Sequence, residues 1–332
     1  MRRYPERVHI QEVGPRDGLQ LESRILSLSE RAELIAAIRA AGVQEMEVGS
    51  FVSPRAVPQM AGTADLLARL PDPHPAHYRA LWLNQQGLQA ALAAPNLSVA
   101  GYLQLSASDG FSLRNIRKTV AQSMEEHDGW IKGYRDHGIA TETLIVMAAF
   151  GCNYDGVIAP ERVEALIEAT IDRLARCGEH LRRVVLADTM GWASPGQVRA
   201  MVRSIRTRWP DMIVRLHLHD TRGLAIANAL SALEEGVSEF DAAIGGMGGC
   251  PFSGSAGAVG NMCTEDFVFL CHQLGIETGI DLAKLVDVAR LAERLVGHDL
   301  PGRVMKAGTP LDRHAQLAEA AAENQLVEEA VR

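Results

Sequence analysis

His217 and His219, one residue apart and followed by Asp220, have a type and spacing that could do chemistry. In a β-strand, residues i and i+2 point to one face. Both imidazoles would then share a side, with Leu218 on the other, and such a pair is a natural divalent-metal chelate. A lone buried histidine usually belongs to the core; two on one face favour a metal. A second segment, Glu12-Val13-Gly14-Pro15-Arg16-Asp17-Gly18-Leu19-Gln20, leaves an apolar run through Gly and Pro and sets a cation beside a carboxylate. In isolation an Arg-Asp step is most often a surface ion pair. A third segment, 245–261, holds seven glycines in seventeen residues. Such a loop lets backbone approach a ligand and can move as a lid. Cys250 lies inside it, before Pro251, where a chemical role fits better than a core role. Asn261 ends it, either as a neutral oxygen ligand or as a helix cap. Glu47 and Asp188 add carboxylates at the ends of two more apolar runs. One Asp, two His and a neutral oxygen make a mixed N/O site. Ligand hardness favours Mg²⁺ or Mn²⁺, with Zn²⁺, Co²⁺ and Fe²⁺ open.

These residues need a scaffold that brings distant segments together. Eight short apolar or β-branched runs, 8–13, 45–49, 78–83, 98–105, 142–147, 183–187, 213–218 and 239–244, alternate with stretches of helical period. The helical stretch 29–41 has Ser29 as its expected N-cap and Gly42 beyond its end. The stretch 160–177 opens with proline, which suits the first helical turn, and Ser194-Pro195 opens the next in the same way. The stretch 225–235 ends at Gly236. Strands alternating with helices require parallel pairing through crossovers. Eight units fit a closed (β/α)₈ barrel better than an open doubly wound sheet. The expected architecture is an α/β TIM barrel over residues 1–300, one domain, with 301–332 as a helical extension or mobile tail. In such barrels catalytic groups stand at the C-terminal ends of the strands, where the polar residues above fall.

Composition narrows the function classes. The chain has 332 residues, 47% hydrophobic and 22% charged, with a net charge of −8. No basic run forms, so nucleic acid is not an expected partner. No stretch of about 20 apolar residues occurs, so no membrane span is expected. No secretory leader is apparent. Five scattered cysteines without a CxxC pair fit a reducing compartment. A cytoplasmic enzyme is the expectation.

With these motifs in hand, the chain resembles the 3-hydroxy-3-methylglutaryl-CoA (HMG-CoA) lyase family of the metal-dependent lyase and Claisen-synthase barrels. The likeness runs from about residue 8 to 300. It rests on the Glu12 to Gln20 segment, Ser50-Phe51-Val52-Ser53-Pro54 with Val57-Pro58-Gln59-Met60, Ala187-Asp188-Thr189, His217-Leu218-His219-Asp220-Thr221, and Gly248-Gly249-Cys250-Pro251 leading to Asn261. The resemblance implies that Asp17, His217, His219 and Asn261 bind the metal. It makes Arg16 the group that steadies an enolate oxygen, Cys250 a proton donor, and Glu47 and Asp188 active-site carboxylates. Gln20 and Asn84 would contact substrate, an acyl-CoA thioester, and a homodimer would be expected. The implied reaction is metal-dependent retro-Claisen cleavage of a 3-hydroxyacyl-CoA, with HMG-CoA giving acetyl-CoA and acetoacetate. Claisen synthases instead carry Asn after the second His and a Gly-Glu-Arg-Ala-Gly-Asn run; this chain has Asp220 and Gly-Gly-Cys-Pro. A non-catalytic metal scaffold would have lost reactive groups that are present here.

Three departures bear on substrate. Leu21-Glu22-Ser23 stands where the family commonly has Asn-Glu-Lys, and a cation near the mouth is lost. The spacing from Cys250 to Asn261 is two residues longer than in well-known lyases. Leu81-Trp82-Leu83-Asn84-Gln85 replaces a Thr-Pro-Asn run, bringing bulk that would face the helices. Together they point to a relative that accepts another thioester, such as citramalyl-CoA or a longer-branched glutaryl-CoA.

Overall fold

The computed structural model describes residues 4–249 and 260–310. Each expected run forms a strand: β1 (His9–Glu12), β2 (Glu45–Ser50), β3 (His77–Leu81), β4 (Gly101–Ser106), β5 (Thr141–Met147), β6 (Arg183–Ala187), β7 (Ile213–His217) and β8 (Glu239–Ala242). All ladders among them are parallel, and the sheet order is β3-β2-β1-β8-β7-β6-β5-β4. The sheet curls into an α/β TIM barrel, with helices outside. Between β3 and β4 the ladder shrinks to one bridge, Tyr78 with Leu97, where Ser98 N donates to Tyr78 O at 2.9 Å. Aromatic side chains complete that seam. The Tyr102 hydroxyl donates to the Trp82 carbonyl (2.6 Å) and accepts from the Trp82 amide (3.2 Å). Trp82 also donates its indole N–H to Tyr134 (2.8 Å) and packs on Leu88 and Ala91, while lining the barrel cavity with Tyr102.

Strand alternation decides which side chains face the helices. Met46, Val48, Leu144, Val146, Val184, Leu186, Leu216 and Phe240 are fully buried. Each contributes roughly 1.5–3 kcal/mol by leaving water. The intervening positions point inward and are largely polar, among them Glu45, Glu47, Arg183, Arg215, His217 and Asp241.

Helix boundaries follow side-chain caps. The helix Leu28–Ala40 starts at Ser27, not Ser29: the Ser27 hydroxyl accepts from Glu30 N while Glu30 accepts from Ser27 N. The Ser-x-x-Glu spacing begins at Ser27, so only that residue closes a reciprocal capping box. Pro160–Arg176 and Pro195–Arg208 open on proline as expected, the latter capped by Ser194. A short antiparallel hairpin, Gly151–Cys152 with Gly156–Val157, follows β5 and was not expected. Beyond Pro301 a further turn of helix, Val304–Ala307, is anchored by Asp266, which accepts from the amides of Arg303 and Val304. Residues 311–332 lie outside the described residues.

Candidate active site

A cavity of about 410 Å³ runs down the barrel from its C-terminal mouth. Four groups at that mouth come from opposite ends of the sequence. After β1 the chain winds into a single π-helical turn, Gly14–Gly18, in which Val13 O accepts from the amides of Arg16, Asp17 and Gly18. Such turns recur at functional sites, and here Arg16 and Asp17 both line the cavity. The end of β7 supplies His217 and His219, whose Nε2 atoms lie 3.1 Å apart. Asp17 Oδ2 stands 4.0 Å from His217 Nε2. Asn261, paired with His219 in an isolated antiparallel bridge, donates its amide to Asp17 Oδ2 (2.8 Å) and Met247 O (3.1 Å).

The donor set fits a divalent cation. One ligand atom each from Asp17, His217 and His219 lies within 4.8 Å of the others. Two facing imidazole nitrogens need a proton or a cation between them. Burial opposes a positive His219, lowering its pKa to about 4, and His217 nearby pushes the same way. Neutral imidazole is the ligating form. Burial alone would raise Asp17, but Arg16 and the two histidines hold it below the usual carboxylate range, so it stays an anionic ligand. Asn261 completes the cluster, although its amide nitrogen rather than its oxygen faces Asp17 here.

Arg16 is fixed by two carboxylates. It donates through Nε to Glu47 Oε2 (2.7 Å) and through Nη1 to Asp17 Oδ1 (2.6 Å). Gln20 also donates to Asp17 Oδ1 (2.9 Å) and lines the cavity. Burial pushes Arg16 down, yet Glu47 and Asp17 more than restore it, so it remains a permanent cation. Glu47 is raised by burial, only partly offset by Arg16.

Two expected site residues are placed differently. Asp188 is buried but does not line the cavity; its Oδ1 accepts from the amides of Trp192 (2.7 Å) and Ala193 (3.0 Å). It folds the loop after β6, and burial raises it to about 6. Asn84 does not line the cavity either. It caps the helix Gln85–Ala93 by accepting from Gly87 N (2.8 Å), because an Asn one residue before a helix meets its free amides first. Cys250 lies outside the described residues.

Reading residues singly overlooked Asp241, whose Oδ2 accepts from His217 Nδ1 at 3.2 Å. A signal was present: Glu239-x-Asp241 on β8 repeats the period of Arg215-x-His217-x-His219 on β7. The parallel register pairs Glu239 with Arg215 and Asp241 with His217.

Comparison with known proteins identifies the family. The HMGL-like family model matches residues 7–292. The chain is 44% identical to the (R)-citramalyl-CoA lyase of Chloroflexus aurantiacus, over 91% of this chain and 95% of that one. It is 36% identical to the 3-hydroxy-3-isohexenylglutaryl-CoA/hydroxy-methylglutaryl-CoA lyase of Pseudomonas aeruginosa, over 91% and 97%. Among solved structures, an HMG-CoA lyase from Acinetobacter baumannii, in complex with coenzyme A and 3-methylmalate, superposes with a TM-score of 0.82. It shares 36% identity, covering 92% of this chain and 97% of that one. The chain belongs to the HMGL-like family and is a carbon–carbon lyase.

Proposed function

We propose that this enzyme cleaves a 3-hydroxyacyl-CoA by a metal-dependent retro-Claisen reaction, and that its substrate is citramalyl-CoA, giving acetyl-CoA and pyruvate. The observation that carries the substrate is the pairing of every arginine in the cavity. Arg16 is held by Glu47 and Asp17, Arg79 by Glu45, Arg183 by Glu239, and Arg215 by Glu45 and Glu239. Among the described residues lining the cavity, none of these cations is left over to hold a remote carboxylate. In citramalyl-CoA the carboxylate is bonded directly to the carbinol carbon, so carboxylate and hydroxyl can share one cation. In HMG-CoA an extra methylene carries the carboxylate away. The 44% identity to a citramalyl-CoA lyase supports the same choice. HMG-CoA, cleaved to acetyl-CoA and acetoacetate, is the second reading, favoured by relatives at 36–38% identity.

Asp17, His217, His219 and Asn261 would hold Mg²⁺ or Mn²⁺. An ion held there would supply Lewis-acid polarisation of the substrate. The 3-hydroxyl proton passes to Glu47, which lines the cavity beside Arg16 and whose pKa burial raises. The C2–C3 bond breaks, C3 becomes the ketone carbon of the keto acid, and the electron pair moves into a thioester enolate. Arg16 offers a fixed cation to the enolate oxygen. Cys250 delivers the proton that converts the enolate to acetyl-CoA; a free thiol of pKa about 8.5 is protonated at neutral pH. We further propose a cytoplasmic homodimer. Among the described residues no helix is long and apolar enough to cross a membrane.

The test is acetyl-CoA release by chelator-stripped protein, with and without Mg²⁺ or Mn²⁺, from both citramalyl-CoA enantiomers and HMG-CoA. Metal-dependent cleavage of citramalyl-CoA, absent in His217→Ala, is expected. A higher kcat/KM for HMG-CoA would overturn the substrate assignment, and turnover without metal would overturn the mechanism.

A further inference from the structure

Asp241 stands on β8 beside His217 of β7. It is buried, and its Oδ2 lies 3.2 Å from His217 Nδ1. Its other oxygen, Oδ1, is buried without a hydrogen-bond partner. A packing role accounts poorly for this. Beneath it Arg215 is already matched by Glu45 (2.9 Å) and Glu239 (3.0 Å), whereas Asp241 lies 3.8 Å from that guanidinium. A buried carboxylate with a single hydrogen bond costs free energy and is retained where that bond does something.

What the bond does follows from imidazole chemistry. A neutral ring carries one proton, on Nδ1 or Nε2. A carboxylate at Nδ1 can only accept, so it draws the proton there and leaves the lone pair on Nε2. That is the nitrogen facing His219 Nε2 at 3.1 Å and Asp17 at 4.0 Å. We infer that Asp241 is a positioning residue that fixes the tautomer and ring orientation of His217. This rests on the metal-dependent reading above. Carboxylates that accept from a ligating histidine in this way typically change metal affinity by about 10–100-fold.

Two measurements decide it. In the metal-free parent protein at alkaline pH, nitrogen NMR of the His217 ring should find the proton on Nδ1; a proton on Nε2 would overturn the inference. This readout needs neither a variant nor a metal. Second, Asp241→Ala titrated with Mn²⁺ by calorimetry should bind about 10–100-fold more weakly than the parent, with His217 relaxing to a tautomer mixture. Parent-like Mn²⁺ affinity in a folded variant would also sink the idea. A parent protein that binds no Mn²⁺ would instead refute the metal reading, and the ring proton would still decide the role of Asp241.

Discussion

Asn261 Nδ2 donates to Asp17 Oδ2 at 2.8 Å across a separation of 244 positions in the chain. This bond joins the turn after β1 to the end of the loop after β8, so each loop fixes the other's candidate ligand. Gly248 makes the approach possible. Its φ is +98°, and a Cβ there would sit 2.7 Å from Asn261 Nδ2 and 3.1 Å from Asp17 O.

Gly248→Ala is therefore expected to push Asn261 off Asp17. Left-handed backbone also disfavours any side chain there, at a cost of about 1–3 kcal/mol. Calorimetric titration with Mn²⁺ should show weaker binding, accompanied by a lower Tm. Unchanged affinity would mean that the Asp17–Asn261 contact is not needed by the centre.

Arg16→Lys keeps a cation but loses the fork that grips Glu47 and Asp17 together. An enolate-stabilising donor is typically worth about 10²–10³ in kcat. The variant should lose about that much kcat in a steady-state acetyl-CoA assay. A drop confined to KM would assign Arg16 to uniform substrate binding instead.

Glu12 and Glu265 make stability fall as pH rises. Both are fully buried, and burial raises each to about 7 from an ordinary 4.5. A group whose folded pKa is raised contributes stability that is complete below the unfolded value and is lost as pH climbs through the folded one. The window is thus about pH 4.5 to 7. For Glu12 the loss is on the order of 3 kcal/mol. Glu12→Gln, read by Tm against pH, should decline less than the parent across that window and stay parallel above it. Identical slopes would show that Glu12 titrates normally.

The substrate assignment predicts that restoring a mouth cation shifts selectivity. Ser23 is exposed in the loop after β1, where the family commonly places lysine. Ser23→Lys with Leu21→Asn should raise kcat/KM for HMG-CoA relative to citramalyl-CoA by about fivefold, the worth of one exposed charge contact of roughly 1 kcal/mol. An unchanged ratio would mean that the remote carboxylate is held elsewhere.

The sequence by itself determined the eight strands and their alternation with helices, because a two-residue period and proline or glycine stops are local signals. It also determined that Arg16, Asp17, His217 and His219 would meet, since a barrel gathers its strand ends at one mouth. What it could not determine depends on contacts between strands. Asp188 and Asn84 are polar residues near strand ends, but their side-chain oxygens are engaged by amides of their own loops, a choice made by local backbone geometry. Asp241 carries no motif, and only the β7–β8 register sets it against His217. The pairing of each cavity arginine was likewise invisible, because Arg215 reaches Glu45 and Glu239 across 170 and 24 positions. Periodicity is written along the chain, whereas register and charge balance exist only once the barrel brings its strands side by side.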